Sequence, residues 1–144
     1  MITLYVSHPY GGKEENAIEA SMIAADLQQK FPNIAVISPI HAIRSDYAGT
    51  PYDLGLSYTL ELLRRSDIIY FSGDWKYSLG CTVEQLQSKY MGIYQTFSVE
   101  DIQQALNERV FREDVKRNRL FNCHSVDINY TRDLIEKAKG LLKT

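Results

Sequence analysis

Glu84 is the residue of this chain whose type and position point most directly to chemistry. It lies four residues after Gly80, in a helix that opens at Ser78-Leu79-Gly80 soon after an apolar strand. That spacing places the carboxyl group one helical turn beyond the glycine and on the same face. A carboxylate directed into a crevice can serve as a nucleophile or as a base. A glutamate early in a helix also often does no more than complement the helix dipole, and this alternative remains open.

A second segment with chemical potential runs from Ser7 to Lys13 and contains Gly11-Gly12. Adjacent glycines allow backbone N–H groups to come close to a ligand, and the start of the helix that follows favours an anion. The segment is not a phosphate-binding P-loop, because Lys13 is followed by Glu14 rather than by serine or threonine. A plain strand-to-helix turn is the alternative interpretation.

Further polar and aromatic side chains are concentrated in the loops that follow the strands. His8 and His41 belong to two of these loops, and Asp74-Trp75 belongs to a third. A histidine at such a position is more often structural than catalytic. Aromatic rings nearby can stack on a base or a sugar, although packing explains most tyrosines; these rings belong to Tyr10, Tyr47 and Tyr52. The histidines and cysteines lack the spacing of metal ligands, so neither a metal site nor a cofactor is predicted.

The elements that position these residues follow from the periodicity of apolar side chains. Short apolar runs predict strands at residues 2–7, 34–37, 67–71 and 92–97. Helical spacing predicts helices at residues 13–29, 52–65, 81–90, 99–110 and 130–142. Ser98 is expected to cap the helix that begins at Val99. Residues 41–51 and 74–79 are predicted to be loops, and residues 111–128 show no period.

This alternation predicts an α/β fold: a three-layer, flavodoxin- or Rossmann-like parallel sheet of four to five strands with helices on both faces. Residues 1–98 are expected to form the α/β domain proper, and residues 99–144 a C-terminal helical extension of the same domain. In such sheets ligands bind in the crevice at the carboxyl ends of the strands. The loops at residues 7–13, 38–52 and 72–80 lie at that edge, so their side chains are expected to meet there.

Composition argues against several classes of function. The chain of 144 residues has a net charge of −2, which is not the electrostatic footprint of a protein that binds nucleic acid or an anionic membrane. Its apolar stretches are too short for a membrane span, and its first residues predict a strand rather than a signal peptide. Cys81 and Cys123 are predicted to be free thiols, which suits a cytoplasmic protein.

Four places within residues 2–97 resemble the nucleoside 2-deoxyribosyltransferase-like superfamily, and in particular a small group that is frequent in phages and bacteria. These places are Tyr5-Val6-Ser7 with Pro9 and the run from Gly11 to Asn16, then Ser38-Pro39-Ile40-His41, then Ser66 to Tyr70 leading to Trp75, and finally Ser78 to Glu84. The last is the most specific, because active members of the superfamily place their nucleophilic glutamate four residues after that glycine.

The resemblance implies cleavage or transfer at the N-glycosidic bond of a 2′-deoxynucleoside or of its 5′-monophosphate. Glu84 would attack the anomeric carbon and form a covalent glycosyl-enzyme, which water or a second base then resolves. The resemblance also implies substrate-binding roles for a set of loop residues: Tyr5, His8, Tyr10, Gly11, Gly12, His41, Asp74, Trp75, Ser78 and Gly80. Ser78 and the Gly11-Gly12 turn would hold a 5′-phosphate, and His41 and Trp75 would flank the sugar or the base. A homodimer or higher homo-oligomer is implied as well.

The chain departs from the superfamily in two respects. Active members carry an aspartate on the helix before the third strand, and counting back from Asp67 that position is Thr59. Asp53 and Asp74 are the candidate acidic substitutes for it. The segment after residue 98 is also longer than in the superfamily, and its charged run at residues 109–119 is expected to be a solvated face.

Two functions of different classes follow from these observations. The motif at Glu84 favours an enzyme, either an N-glycosidase or a deoxyribosyltransferase. The departure at Thr59 favours a non-catalytic module on the same fold that senses or sequesters a nucleotide. A third interpretation treats the glycine loops as ordinary turns and Glu84 as a helix-terminal charge.

Overall fold

The computed structural model describes residues 1–44, 47–121 and 125–142. Four parallel strands form one sheet: β1 (Thr3–Ser7), β2 (Ala35–Ile37), β3 (Ile68–Phe71) and β4 (Tyr94–Thr96). Their order across the sheet is β2-β1-β3-β4, which is the order of flavodoxin-like folds. The register pairs Tyr5 with Ile37 on one side and with Ile69 on the other. The prediction of an α/β fold with a parallel sheet is confirmed.

Helices account for most of the remaining described residues. They are α1 (Glu14–Lys30), α2 (Pro39–Ala42), α3 (Tyr52–Arg64), α4 (Leu79–Met91), α5 (Val99–Glu108), α6 (Glu113–Phe121) and α7 (Ile128–Leu142), with a 3₁₀ turn at Trp75–Tyr77. The five helices predicted from the sequence correspond to α1, α3, α4, α5 and α7. Ser98 caps α5 as predicted, since its Oγ accepts a hydrogen bond from the backbone N–H of Asp101 at 3.1 Å.

Alternation of side chains along the strands divides the core into two layers. Tyr5 and Ile69 point to the side covered by α3, α4 and α7. Their neighbours Leu4 and Ile68 point to the opposite side, which α1 and α5 cover. All four side chains are fully buried. Helices therefore lie on both faces of the sheet, as the three-layer prediction requires.

Three segments differ from the sequence prediction. His41 and Ala42 lie in α2 rather than in a loop, because Pro39 occupies the first helical position, where its fixed φ suits a helix. The predicted loop at residues 74–79 contains the 3₁₀ turn. Residues 113–121, which show no apolar period, form α6.

The side chain that anchors α6 is a buried cation, and this explains the missing period. Arg119 is 3% exposed, and its guanidinium donates to the carbonyl oxygens of Arg64, Ser66 and Met91 at 2.8 to 3.0 Å. These carbonyls lie at or just beyond the C-terminal ends of α3 and α4, where helical carbonyls lack partners within their own helix. The prediction that residues 109–119 form a solvated face is wrong at Arg119.

Helices α5 and α7, which follow residue 98, contribute side chains to the core of the fold. Ile102 of α5 is fully buried beneath one face of the sheet, and Leu134 and Ala138 of α7 are 2% and 0% exposed beneath the other. Cys81 is a free, buried thiol, whereas Cys123 lies outside the described residues. Each helix within the described ranges is too short or too polar to cross a bilayer.

Candidate active site

A cavity of about 560 Å³ opens beyond the end of β1, beside α3 and the start of α4, the helix that follows β3. The chain leaves β1 towards α1 on one face of the sheet and leaves β3 towards α4 on the other, so the cavity occupies the switch point where ligands bind in doubly wound folds. Its lining comes from β1 and the loop after it, the start of α1, residues 39–43, the segment from Tyr47 to Thr59, and the first turns of α4.

Glu84 is the buried carboxyl group of this cavity, with 6% of the residue exposed. Its Oε1 accepts a long hydrogen bond of 3.4 Å from the Ser7 hydroxyl, while its Oε2 has no partner among the described residues. The Tyr5 hydroxyl is also buried and lies near the Glu84 carboxyl, although it makes no well-formed hydrogen bond with the described residues in this arrangement. Buried polar atoms of this kind are normally satisfied, so this corner of the cavity can accept hydrogen bonds from a ligand and donate to it.

Burial raises the pKa of Glu84 to about 8, because the low-dielectric surroundings disfavour the charged form. The hydroxyls of Tyr5 and Ser7 oppose this rise, since both can donate to the carboxylate. Burial first, and the Glu84 charge second, raise the pKa of the Cys81 thiol to about 12 and the pKa of the Tyr52 hydroxyl. Of Glu84, Cys81 and Tyr52, Glu84 is therefore the acid whose pKa lies nearest neutrality.

The start of α4 brings Ser78 and Gly80 to the cavity. The Ser78 Oγ accepts a hydrogen bond from the backbone N–H of Cys81 at 3.3 Å, which caps the helix and leaves the hydroxyl proton available to a ligand. A Cβ atom at Gly80 would lie 3.4 Å from the Tyr52 hydroxyl oxygen. The glycine thus leaves space for the phenol of α3 to approach α4.

The Gly11-Gly12 turn lies next to two tyrosine rings that line the cavity. Both glycines have positive φ, +60° and +74°, which only glycine adopts easily. A Cβ atom at Gly12 would come within 2.7 Å of Tyr47 Cδ1, so the glycine admits the Tyr47 ring. That ring contacts Tyr10 edge to face, with 5.2 Å between centroids and 74° between planes. Tyr10 and Tyr47 both line the cavity. Gly12 does not line it and lies against the Tyr47 ring.

His8 joins the loops that follow β1 and β3. Its Nδ1 lies 2.7 Å from the Pro9 carbonyl oxygen, and because a carbonyl only accepts, Nδ1 carries a proton. Its Nε2 lies 3.6 Å from a carboxylate oxygen of Glu19. Gly73, with φ of +62°, leaves space for the ring, since a Cβ atom there would be 3.0 Å from Nε2. The imidazole lines the cavity, and its buried Nε2 makes no hydrogen bond with the described residues.

The structure brings together seven of the predicted site residues as cavity lining: Tyr5, His8, Tyr10, Gly11, Ser78, Gly80 and Glu84. Three others lie elsewhere. His41 is exposed, with Nδ1 2.7 Å from the Ser38 hydroxyl. Trp75 packs on Phe71 with 4.8 Å between ring centroids, and Asp74 is exposed at the start of the 3₁₀ turn.

The first half of α3 lines the cavity with one helical face, although the sequence analysis singled out only Tyr52 and Thr59 on that face. Its lining residues repeat with helical spacing, a pattern that marks one face of a helix: Tyr52, Gly55, Leu56 and Thr59. Thr59 donates its hydroxyl to the carbonyl of Leu56 at 2.9 Å. Asp53 is not a lining residue and instead pairs with Arg132 at 2.7 Å. Among the described lining residues, Glu84 is therefore the one carboxylate.

No group of three or more histidine, cysteine, aspartate or glutamate side chains in the described part of the chain is arranged to hold a metal ion. Comparison with protein-family models, with curated proteins and with solved structures finds no match for this chain. The assignment of a function rests on the sequence resemblance and on the geometry of the cavity.

Proposed function

We propose that this chain cleaves, or transfers the sugar at, the N-glycosidic bond of a (deoxy)nucleoside or nucleoside 5′-monophosphate, with Glu84 as the nucleophile. The observation that carries the proposal is the buried carboxyl of Glu84, which lines the cavity and has one oxygen without a hydrogen-bond partner among the described residues. A cavity of about 560 Å³ has the volume of a small-molecule site.

In the proposed reaction a carboxylate oxygen of Glu84 attacks the anomeric carbon while the base departs with the electron pair of the C–N bond. The resulting ester is resolved by water or by a second base. Glu84 reacts only when ionised, so the hydroxyls of Tyr5 and Ser7 assist by stabilising the charged form. Positive charge that develops on the sugar ring in the transition state stabilises the carboxylate further.

Two features support a phosphorylated substrate. Lys13 is exposed and is the one lysine or arginine among the described lining residues. Ser78, Leu79 and Gly80 line the cavity at the start of α4, where helix N–H groups favour an anion. A 5′-phosphate bound between these groups would leave the sugar near Glu84.

The test is release of free base, followed by chromatography, from a panel of nucleosides and their 5′-monophosphates. Wild-type protein is expected to release base, and Glu84→Gln is expected to lose this activity although its melting temperature does not fall. Glu15→Gln, which alters an exposed carboxylate outside the cavity, is the matched control and should retain activity. Activity that survives in Glu84→Gln contradicts the role of Glu84, and absence of release across the whole panel contradicts the enzymatic function.

A non-catalytic nucleotide-binding module is the second candidate. It is favoured by Thr59, whose hydroxyl is engaged by its own helix at the position where the superfamily carries an aspartate. A binding module would show a rise in melting temperature with nucleotides but no release of base. If nucleotides neither raise the melting temperature nor release base, both functions are excluded.

A further inference from the structure

We infer that this cavity selects nucleosides whose base carries a fixed positive charge, such as pyridinium or N-alkylpurinium nucleosides. Four tyrosines line the cavity together with the buried carboxyl of Glu84: Tyr5, Tyr10, Tyr47 and Tyr52. Turnover of such nucleosides rests on the proposed function, whereas selective binding of the cationic ring rests on the cavity alone.

The aromatic lining and the carboxyl group both favour a cation. The faces of phenol rings attract positive charge, most strongly where water is displaced. Glu84 has no cationic partner among the described residues, and one of its oxygens is unpartnered. Lys13, the one lysine or arginine in the lining, is exposed to solvent rather than buried beside Glu84. The interior of the cavity therefore contains a potential negative charge that nothing in the described chain neutralises.

A bound cation would also activate Glu84. An opposite charge nearby favours the ionised form of a buried carboxyl and lowers its pKa, which burial otherwise raises. A cationic base would thus convert Glu84 to the nucleophilic carboxylate, with release of its proton to solvent. A neutral base would leave the carboxyl protonated at neutral pH.

The departure of the base also favours a nucleoside whose base is positively charged. When the bond between the anomeric carbon and a cationic ring nitrogen breaks, the electron pair moves to that nitrogen and the base departs neutral, without a proton. A neutral base would depart as an anion unless an acid protonates it. The described lining contains no second carboxyl group, and the Nδ1–H of His8 is held by the Pro9 carbonyl oxygen.

The buried hydroxyls of Tyr5 and Tyr52 and the buried thiol of Cys81 are poor proton donors. Burial and the Glu84 charge raise the pKa values of the Tyr5 and Tyr52 hydroxyls and of the Cys81 thiol. In the step proposed here, Glu84 gains the bond to the anomeric carbon as the neutral base leaves. Water then adds to that carbon, the ester bond to Glu84 breaks, and the second proton of the water goes to solvent.

Binding is tested first, with N1-methylnicotinamide as the cationic probe and nicotinamide as its neutral counterpart, in calorimetric titrations at pH 7. The wild type should bind the cation about tenfold more tightly or better, since one cation–π contact beside a carboxylate contributes that much. Glu84→Gln and Tyr47→Leu should each lose most of this preference. Tyr77→Leu removes a tyrosine that is 84% exposed and outside the cavity, and should retain it. Equal affinity for the two probes, or a preference that survives both cavity variants, overturns the inference.

Turnover is tested second, with nicotinamide riboside and 7-methylguanosine against guanosine and thymidine. Each rate is divided by the rate of the same nucleoside without protein, because cationic nucleosides are intrinsically more labile. The cationic pair should show the larger acceleration, by about tenfold or more. Equal acceleration of all four overturns the inference while supporting the proposed function. Selective binding of the cationic probe without any turnover supports the cation site and contradicts the proposed enzyme.

Discussion

Glu84→Gln should alter the way in which the stability of this protein depends on pH. The carboxyl has a pKa of about 8 in the folded protein, against 4.5 when it is fully solvated in the unfolded chain. A folded pKa above the unfolded one means that stability is complete below pH 4.5 and is lost as pH rises to about 8. Glutamine has nearly the same shape and is neutral throughout, so the variant should not show this loss.

The size of the effect follows from the pKa. Each pH unit between 4.5 and about 8 should remove about 1.4 kcal/mol from the free energy of unfolding of the wild type, or about 5 kcal/mol in total. Between pH 5 and pH 9, Glu84→Gln should therefore gain about 4 kcal/mol relative to the wild type. Other titrating groups contribute equally to both chains and cancel in this comparison.

The assay is unfolding in guanidinium chloride at pH 5, 7 and 9, followed by the fluorescence of Trp75, the one tryptophan of the chain. Trp75 contacts Phe71 of β3 and therefore reports on the core. Glu15→Gln, an exposed carboxylate, controls for the change of charge. A difference between wild type and Glu84→Gln that stays constant within about 0.5 kcal/mol across this range would refute the reasoning, because the carboxyl would then be solvated in the folded state.

Three further outcomes are expected. If Glu84 reacts as a carboxylate, kcat/KM for a neutral nucleoside should rise about tenfold per pH unit and level off near pH 8, whereas a fall through pH 8 would identify Glu84 as an acid. Gly12→Ala should displace the Tyr47 ring and weaken nucleotide binding in titration calorimetry, with an unchanged circular dichroism spectrum, because its Cβ atom would lie 2.7 Å from Tyr47 Cδ1; unchanged affinity would show that this ring does not contact the ligand. Leu134→Ala, at 2% exposure, should lower the free energy of unfolding by about 2–5 kcal/mol. Leu141→Ala, at 53% exposure, should change it by under about 1 kcal/mol in the same denaturation assay. Equal losses of unfolding free energy in the two variants would contradict burial of the α7 face that contains Leu134.

Much of the fold could be predicted from local pattern. The four strands are short runs of apolar residues, and α1, α3, α4, α5 and α7 carry apolar side chains at helical spacing. Helix α6 could not be predicted in this way, because the side chain that anchors it is Arg119. The carbonyls that Arg119 binds belong to residues 28 to 55 positions earlier in the chain. A local pattern contains no information on partners at that separation.

The candidate site was only partly predictable for a related reason. Residues that follow a parallel strand reach the correct edge of the sheet, but the direction of each side chain depends on the local turn. Trp75 follows β3, but its ring packs on Phe71 instead of lining the cavity. His41 lies on the exposed side of α2. Thr59 reaches the cavity from α3; the family resemblance indicated this position, but the local pattern of apolar residues did not predict which side of α3 faces a cavity.

By itself the sequence determined the parallel α/β architecture and the position of Glu84 in the first turns of the helix after β3, because hydrophobic periodicity and helix-start signals are local properties. Only the tertiary structure decided that this carboxyl is buried, that Tyr10, Tyr47 and Tyr52 surround the same cavity, and that no second carboxylate joins it among the described lining residues. Burial and proximity depend on contacts between distant segments, here between β1, α3 and α4. Those contacts convert an ordinary helical glutamate into a carboxyl group whose pKa is about 8.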